Sequence, residues 1–186
     1  MNPLEVEAAW WGDCTNTTED EHKQFVYARR MGIAPDPDGR WWWLDVRGAA
    51  IADVGGGPAS LLLKCQRRGA CAVVDPCPYP DWTAARYAVA GIELIREPAE
   101  TAEYGERDEV WIYNVLQHVD DPELVLRRAR ARARTLRVFE WVGVPADPKH
   151  PHVLTRANLE LWSGLRGTME WLDRDGCHGD SWAAVG

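Results

Sequence analysis

From residue 49 onward, short apolar runs alternate with segments of helical periodicity. Residues 49–54 (AAIADV) have no polar alternation, which predicts a strand covered on both faces. Pro58 stands where a first helical residue needs no N–H, and opens a helix through SLLLKCQRR that Gly69 stops. Residues 70–75 (ACAVVD) give a second strand, after which Asp81 is placed to cap a helix running to Ala90 and ending at Gly91. Further strands are predicted over residues 92–95, 109–114 and 136–142, with a helix from Pro122 to about Arg134 before the last of them. Thr155 can cap a helix containing Leu159 and Trp162. Residues 168–172 and 181–185 form a closing pair of strands, and the Asp/Gly-rich turn between them suits a hairpin with an antiparallel edge.

Strand–helix alternation implies parallel strands with helices on both faces, because crossovers place them there. The expectation is an α/β fold with a doubly wound sheet of seven strands, mostly parallel, and an antiparallel C-terminal strand. No repeat, linker or composition break divides the chain, so residues 1–186 read as one domain. Its core spans residues 49–186, preceded by a helical segment over residues 1–45. There Thr18-Glu19-Asp20-Glu21 matches a capping box opening a helix to about Met31, and a Pro/Asp/Gly stretch breaks the chain before Trp41, Trp42 and Trp43. The three tryptophans read as a strand or turn packing alternate rings on the sheet, or as a lid over an acceptor. In open sheets of this kind ligands bind outside the carboxyl ends of the strands, where strand order reverses.

Composition narrows the function. A net charge of −8 over 186 residues opposes general nucleic-acid binding, which needs a basic surface. Six arginines between Arg127 and Arg137 complicate this. They read as a solvated helix face pairing with the acidic N-terminal segment, the alternative being an acidic or nucleic-acid acceptor. No membrane span or leader is recognised, so a cytoplasmic protein is expected. Five cysteines without a CxxC pair read as reduced thiols, and Cys177, His178, His150 and His152 lack zinc-motif spacing. Eleven tryptophans against two phenylalanines imply a core or cleft built from large rings.

The residues after the strands carry the chemistry. Asp53 precedes Gly55, Gly56 and Gly57, a turn where a ligand can approach the backbone closely. An anionic side chain there repels a pyrophosphate but suits a ligand bearing an ammonium group, a pattern that S-adenosylmethionine has. Asp75, before Pro76, lies eighteen residues beyond Gly57, the separation at which a carboxylate can accept ribose hydroxyls.

Together, D-x-G-G-G at 53–57, V-V-D-P at 73–76 and Y-N-V-L-Q-H-V-D-D-P-E at 113–123 resemble the class I S-adenosylmethionine-dependent methyltransferases, in particular those acting on small molecules. The stretch HPHVLTRANL at 150–159 resembles the segment after that family's fifth strand. The resemblance implies a Rossmann-like sheet, S-adenosylmethionine as methyl donor with S-adenosylhomocysteine as product, and transfer to an O or N atom of a small acceptor. It assigns Asp53, Gly55, Gly56 and Gly57 to the methionine end, Asp75 and Pro76 to the ribose, and Asn114 to the wall near the methyl group. The family's Gly-Asp-Ala after strand three is replaced by Arg96-Glu97-Pro98-Ala99-Glu100, with Glu97 the candidate adenine contact. The Lys-Pro-Gly-Gly turn before strand five is replaced by Ala133-Arg134-Thr135-Leu136. Trp10 and Trp11 either close over the cofactor or simply pack.

Methyl transfer requires alignment, with a base only for acidic acceptors. His118 is the candidate base, its alternative role being a backbone anchor for the loop. No D/N-P-P-Y/F tetrapeptide follows strand four, and Pro76-Cys77 lies on the wrong loop for a cytosine-C5 nucleophile. The alternatives to a small-molecule enzyme are a non-catalytic S-adenosylmethionine-binding subunit of a complex, and an enzyme acting on a nucleic acid docked on the arginine helix. The short core leaves room for a homodimer or partner subunit to complete the acceptor site.

Overall fold

A computed structural model describes residues 3–35, 43–66 and 68–186. The chain opens with α1 (Pro3–Trp11), α2 (Thr17–Arg30) and β1 (Leu44–Asp45), followed by β2 (Ile51–Val54), two 3-10 turns (Gly57–Ala59 and Leu61–Lys64), β3 (Cys65–Gln66) and β4 (Cys71–Val74). It continues through α3 (Asp81–Val89), β5 (Ile92–Ile95), β6 (Arg107–Tyr113), α4 (Pro122–Arg132), β7 (Ala133–Trp141), α5 (Arg156–Ser163), β8 (Thr168–Arg174) and β9 (Cys177–Val185).

Every residue of β2 and β4 is buried, as their unbroken apolar sequences require. Among the described residues, seven strands form one sheet in the order β5-β4-β2-β6-β7-β9-β8. All its pairings are parallel except those of β9. The antiparallel strand therefore lies between β7 and β8, and the sheet edge is β8, not the C-terminal strand. Strand order reverses between β2 and β6, which marks where a ligand crevice belongs.

Side chains alternate between the two faces. Ile51, Val73, Trp111 and Phe139 pack with Val26, Tyr27 and Met31 of α2 and Tyr87 of α3. Ala52, Val110, Ile112 and Val138 pack with Leu126 and Ala129 of α4 and Leu159 of α5. Tyr27 stacks on Phe139 with centroids 4.3 Å apart, which fixes α2 across the sheet.

Several local expectations change. The predicted helix after Pro58 is replaced by two 3-10 turns, because Ser60 is extended (φ −48°, ψ 143°) and breaks the run. Its amide donates to the Tyr87 hydroxyl, the Leu61 amide to the Tyr113 hydroxyl and the Leu62 amide to Ser60 Oγ, so side chains accept the bonds that helical carbonyls would have accepted. Helix α2 begins at Thr17 with no side-chain cap, which leaves Thr18 inside the first turn and unable to form the predicted box. Asp81 is likewise the first helical residue and not the cap. At Thr155 the capping box forms with Asn158. The β1–β3 pair was not foreseen, being two residues long on each side. Trp41 and Trp42 fall outside the described residues, and Trp43 is half-buried.

The arginine run is held by its own neighbourhood instead of the N-terminal acids. Arg127 pairs with Glu123, Arg128 and Arg132 with Glu103, Arg134 with Asp108, and Arg137 with Glu109. Arg130 donates to the Gly186 carbonyl. The five cysteines are buried thiols. No group of metal-ligating side chains occurs among the described residues, and no helix there is long and apolar enough to cross a membrane.

Candidate active site

A cleft of about 820 Å³ follows the carboxyl ends of β2, β4, β5, β6 and β7, walled by α1 and α2 and by the β8–β9 turn. Eight of the ten residues assigned from sequence line it: Trp11, Gly55, Gly56, Gly57, Asp75, Pro76, Asn114 and His118.

The glycines are required for different reasons. At Gly55, with φ +72°, a Cβ would overlap the Val115 side chain, so this residue lets the β2 and β6 loops touch. A Cβ on Gly56 would lie 2.7 Å from Asp53 Oδ2. At Gly57 a Cβ would sit in van der Waals contact with Trp11 at 3.8 Å and Tyr79 at 3.9 Å, so it is the φ of +62° that favours glycine.

Asp53 does not face the cleft. It is fully buried under the loop, where Oδ2 accepts from the Ser60 and Tyr113 hydroxyls, and burial pushes its carboxyl up to about 7. Its position fits a loop anchor and not a partner for an ammonium group. Glu97 is exposed and outside the cleft, while Pro98, Ala99 and Glu100 line it. Glu100 Oε1 accepts the amides of Asp120 and Asp121 at 2.8 and 3.1 Å, tying the loop after β5 to the loop after β6.

Asp75 Oδ2 accepts the Gly57 amide at 3.0 Å, and Oδ1 accepts the Cys77 amide at 3.0 Å. Burial pushes this carboxyl up to about 6, so it is predominantly ionised at neutral pH. Each carboxylate oxygen has a second lone pair, leaving acceptor capacity for a ligand's hydroxyls.

His118 is partly buried, and its Nδ1 lies 2.9 Å from the Lys149 carbonyl. A carbonyl only accepts, so Nδ1 carries the proton and the neutral ring keeps a basic lone pair on Nε2. Burial pushes the imidazole below its ordinary range, the opposing influence of Glu7 being the next largest. Glu7 Oε2 is 3.8 Å from Nδ1, and the His150 ring is 4.8 Å away between centroids. The backbone anchor and the candidate base are thus compatible. Asn114 adopts φ +54°, a left-handed conformation that asparagine tolerates, and its amide donates to the Phe139 carbonyl.

Sequence reasoning named Trp11 of this N-terminal wall but missed its polar side chains. Asp20, Gln24 and Tyr27 follow i, i+4, i+7 spacing on α2, and Glu7 joins them from α1. That spacing was readable, but nothing in the sequence said which face meets a cleft. Glu140 was also missed, although a glutamate inside VFEWV is a signal. It is fully buried, and Oε1 accepts the Val115 and Leu116 amides at 3.0 Å, fixing the turn after Asn114. Burial pushes its carboxyl up to about 8.

No protein-family model matches the sequence, and no curated protein matches it. Solved structures do match in fold. The protein described as a methyltransferase in a complex with the Trm112 activator of Haloferax volcanii superposes with a TM-score of 0.69 at 14% identity, covering 100% of this chain and 97% of that one. A SAM-dependent methyltransferase from Aquifex aeolicus gives 0.63 at 14% identity, over 100% and 98% of the two chains. The 1,6-didemethyltoxoflavin-N1-methyltransferase of Burkholderia thailandensis, with its substrate and S-adenosylhomocysteine bound, gives 0.61 at 13% identity, over 97% and 81%. The chain has the Rossmann-like fold of these SAM-dependent methyltransferases, a mixed seven-stranded sheet flanked by helices.

Proposed function

We propose that the protein is a methyltransferase that uses S-adenosylmethionine to methylate an O or N atom of a small-molecule acceptor. The observation that carries this reading is the Gly57–Asp75 bridge at the strand ends. It holds a glycine loop and an ionised carboxylate side by side in the cleft, where this fold takes its ligands. Gly57 lines the cleft without a side chain between its backbone and a ligand, which lets a ligand approach closely. Asp75 would accept the ribose hydroxyls, Asn114 would line the wall near the sulfonium, and Pro98, Ala99 and Glu100 would flank the adenine in place of Glu97. Trp11, its indole N–H donating to Glu7 at 2.7 Å, would cover the loop as part of an N-terminal lid.

When bound, S-adenosylmethionine supplies a methyl group already activated on sulfur. The protein's contribution is alignment and exclusion of water, with His118 Nε2 available to receive a proton from the acceptor. A nucleic-acid acceptor is disfavoured because each arginine of the run already pairs or hydrogen-bonds within the chain and none lines the cleft.

The test is transfer of label from methyl-labelled S-adenosylmethionine into a pooled small-molecule extract and, separately, into total RNA. Incorporation into the small-molecule fraction is expected. Binding of the cofactor with label in neither fraction would support the non-catalytic subunit, and label in RNA alone would overturn the small-molecule assignment.

A further inference from the structure

The half of the cleft over β6, β7 and β9 differs in chemistry from the half over β2, β4 and β5. On its helical wall, Gln24 is 7% exposed and its Oε1 has no hydrogen-bond partner. Asp20 Oδ2 and Glu7 Oε2 are also shut from solvent and have no such partner. All three residues line the cleft. All three atoms are acceptors, so a ligand that completes them must bring donors.

The same half also carries aromatic rings, Tyr27 from α2 and Trp141 and Trp171 from the strands. Tyr27 meets Trp141 edge-on at 6.2 Å, and Trp171 contributes a partly exposed ring from β8. Aromatic faces attract cations. The charge balance points the same way, since six carboxylates and two lysines line the cleft. Both lysines are already engaged, Lys23 at 3.5 Å from Asp20 Oδ1 and Lys149 at 4.3 Å above the Trp10 ring. A carboxylate ligand would meet repulsion without a free counter-charge, and an alcohol or phenol brings a single donor to three acceptors.

Resting on the methyltransferase reading above, we infer that the acceptor is a small aromatic or arylalkyl amine. Its N–H groups would be received by Glu7, Asp20 and Gln24, and its ring would lie against Tyr27, Trp141 and Trp171.

The test is calorimetric titration of the full chain with phenethylamine, 2-phenylethanol and 3-phenylpropionate, each with and without saturating S-adenosylhomocysteine. Phenethylamine is expected to bind at least about ten-fold more tightly than the other two. Gln24→Leu and Asp20→Asn should each weaken that binding about ten-fold while leaving S-adenosylhomocysteine affinity unchanged. Gln24→Leu removes a buried acceptor that nothing satisfies, so its melting temperature should equal or exceed that of the wild type. Binding of S-adenosylhomocysteine with the three probes alike, or with 3-phenylpropionate tightest, would overturn the amine assignment and leave the methyltransferase reading standing. A Gln24→Leu variant that melts below the wild type would make Gln24 a structural group and overturn the assignment as well. Failure of S-adenosylhomocysteine to bind would remove both.

Discussion

The two halves of the cleft are built on opposite principles. Over β2 and β4, polar side chains that line or underlie the cleft hold the protein's own backbone: Asp75 receives the Gly57 and Cys77 amides, and Tyr87 and Tyr113 hold the amides of residues 60 and 61. Over β6 and β7, the α1–α2 wall carries acceptors that the protein does not satisfy. Internal bonding fixes the geometry of a loop, whereas unsatisfied acceptors leave capacity for a ligand's donors. Motif reasoning named residues after β2, β4 and β6 that line the cleft, but none of the α2 acceptors.

The largest expected effect comes from breaking the loop half at its tightest point. Gly55→Val would force a β-branched residue into φ +72° against Val115, costing more than about 3 kcal/mol, read by chemical denaturation. A variant of near wild-type stability would mean the β2 and β6 loops can separate. This residue is therefore no clean probe of ligand binding.

Next is His118→Ala. If Nε2 receives a proton from the acceptor, turnover falls by about 10²–10⁴-fold while S-adenosylhomocysteine affinity holds. Equal losses of turnover and affinity would reduce His118 to an anchor for residues 149–150. Asp75→Asn is expected to weaken S-adenosylhomocysteine by about 1–3 kcal/mol, measured by calorimetry, because the amide nitrogen cannot accept a hydroxyl or the Gly57 amide.

A smaller effect distinguishes the buried carboxyls. Burial lifts Asp75 to about 6, Asp53 to about 7 and Glu140 to about 8, so the folded chain holds these protons more tightly than the unfolded chain. Their stabilising contribution is complete below about pH 4 and is lost as pH rises through those folded values. His118, pushed down by burial, acts in the opposite sense at acid pH. Glu140→Gln should therefore flatten the decline in melting temperature above about pH 7. A parallel decline in the variant would show that Glu140 is not protonated when folded. Smallest of all, Arg134→Ala, which removes an exposed pair with Asp108, should leave both cofactor binding and stability unchanged within error.

Much of the sheet was legible because β2, β4, β5, β6 and β7 each contain a short, mainly apolar run, separated by strong punctuation at Gly69, Gly91 and Pro122. The segment after Pro58 misled, since SLLLKCQRR has helical composition but its bonding is decided by Tyr87 and Tyr113, 27 and 52 residues away. Asp53 misled for a related reason. Its place in the motif suggested a ligand contact, while its burial depends on which way a β2 side chain points and on two hydroxyls supplied by other elements. Glu97 lies outside the cleft and its next three neighbours line it, a difference of the size at which strand ends are read from sequence. The polar side chains of the N-terminal wall were illegible because tertiary packing, not sequence spacing, decides which face of α2 meets the cleft.

The most direct measurement is a tryptophan-fluorescence titration of the full chain with S-adenosylhomocysteine, checked by calorimetry, with NAD in parallel and Asp75→Asn as the control. One-to-one binding of the adenosyl ligand at micromolar concentration, no response to NAD and about ten-fold or greater weakening in Asp75→Asn are the predicted results. Silence toward S-adenosylhomocysteine, or equal response to NAD, would contradict the assignment of this cleft to S-adenosylmethionine.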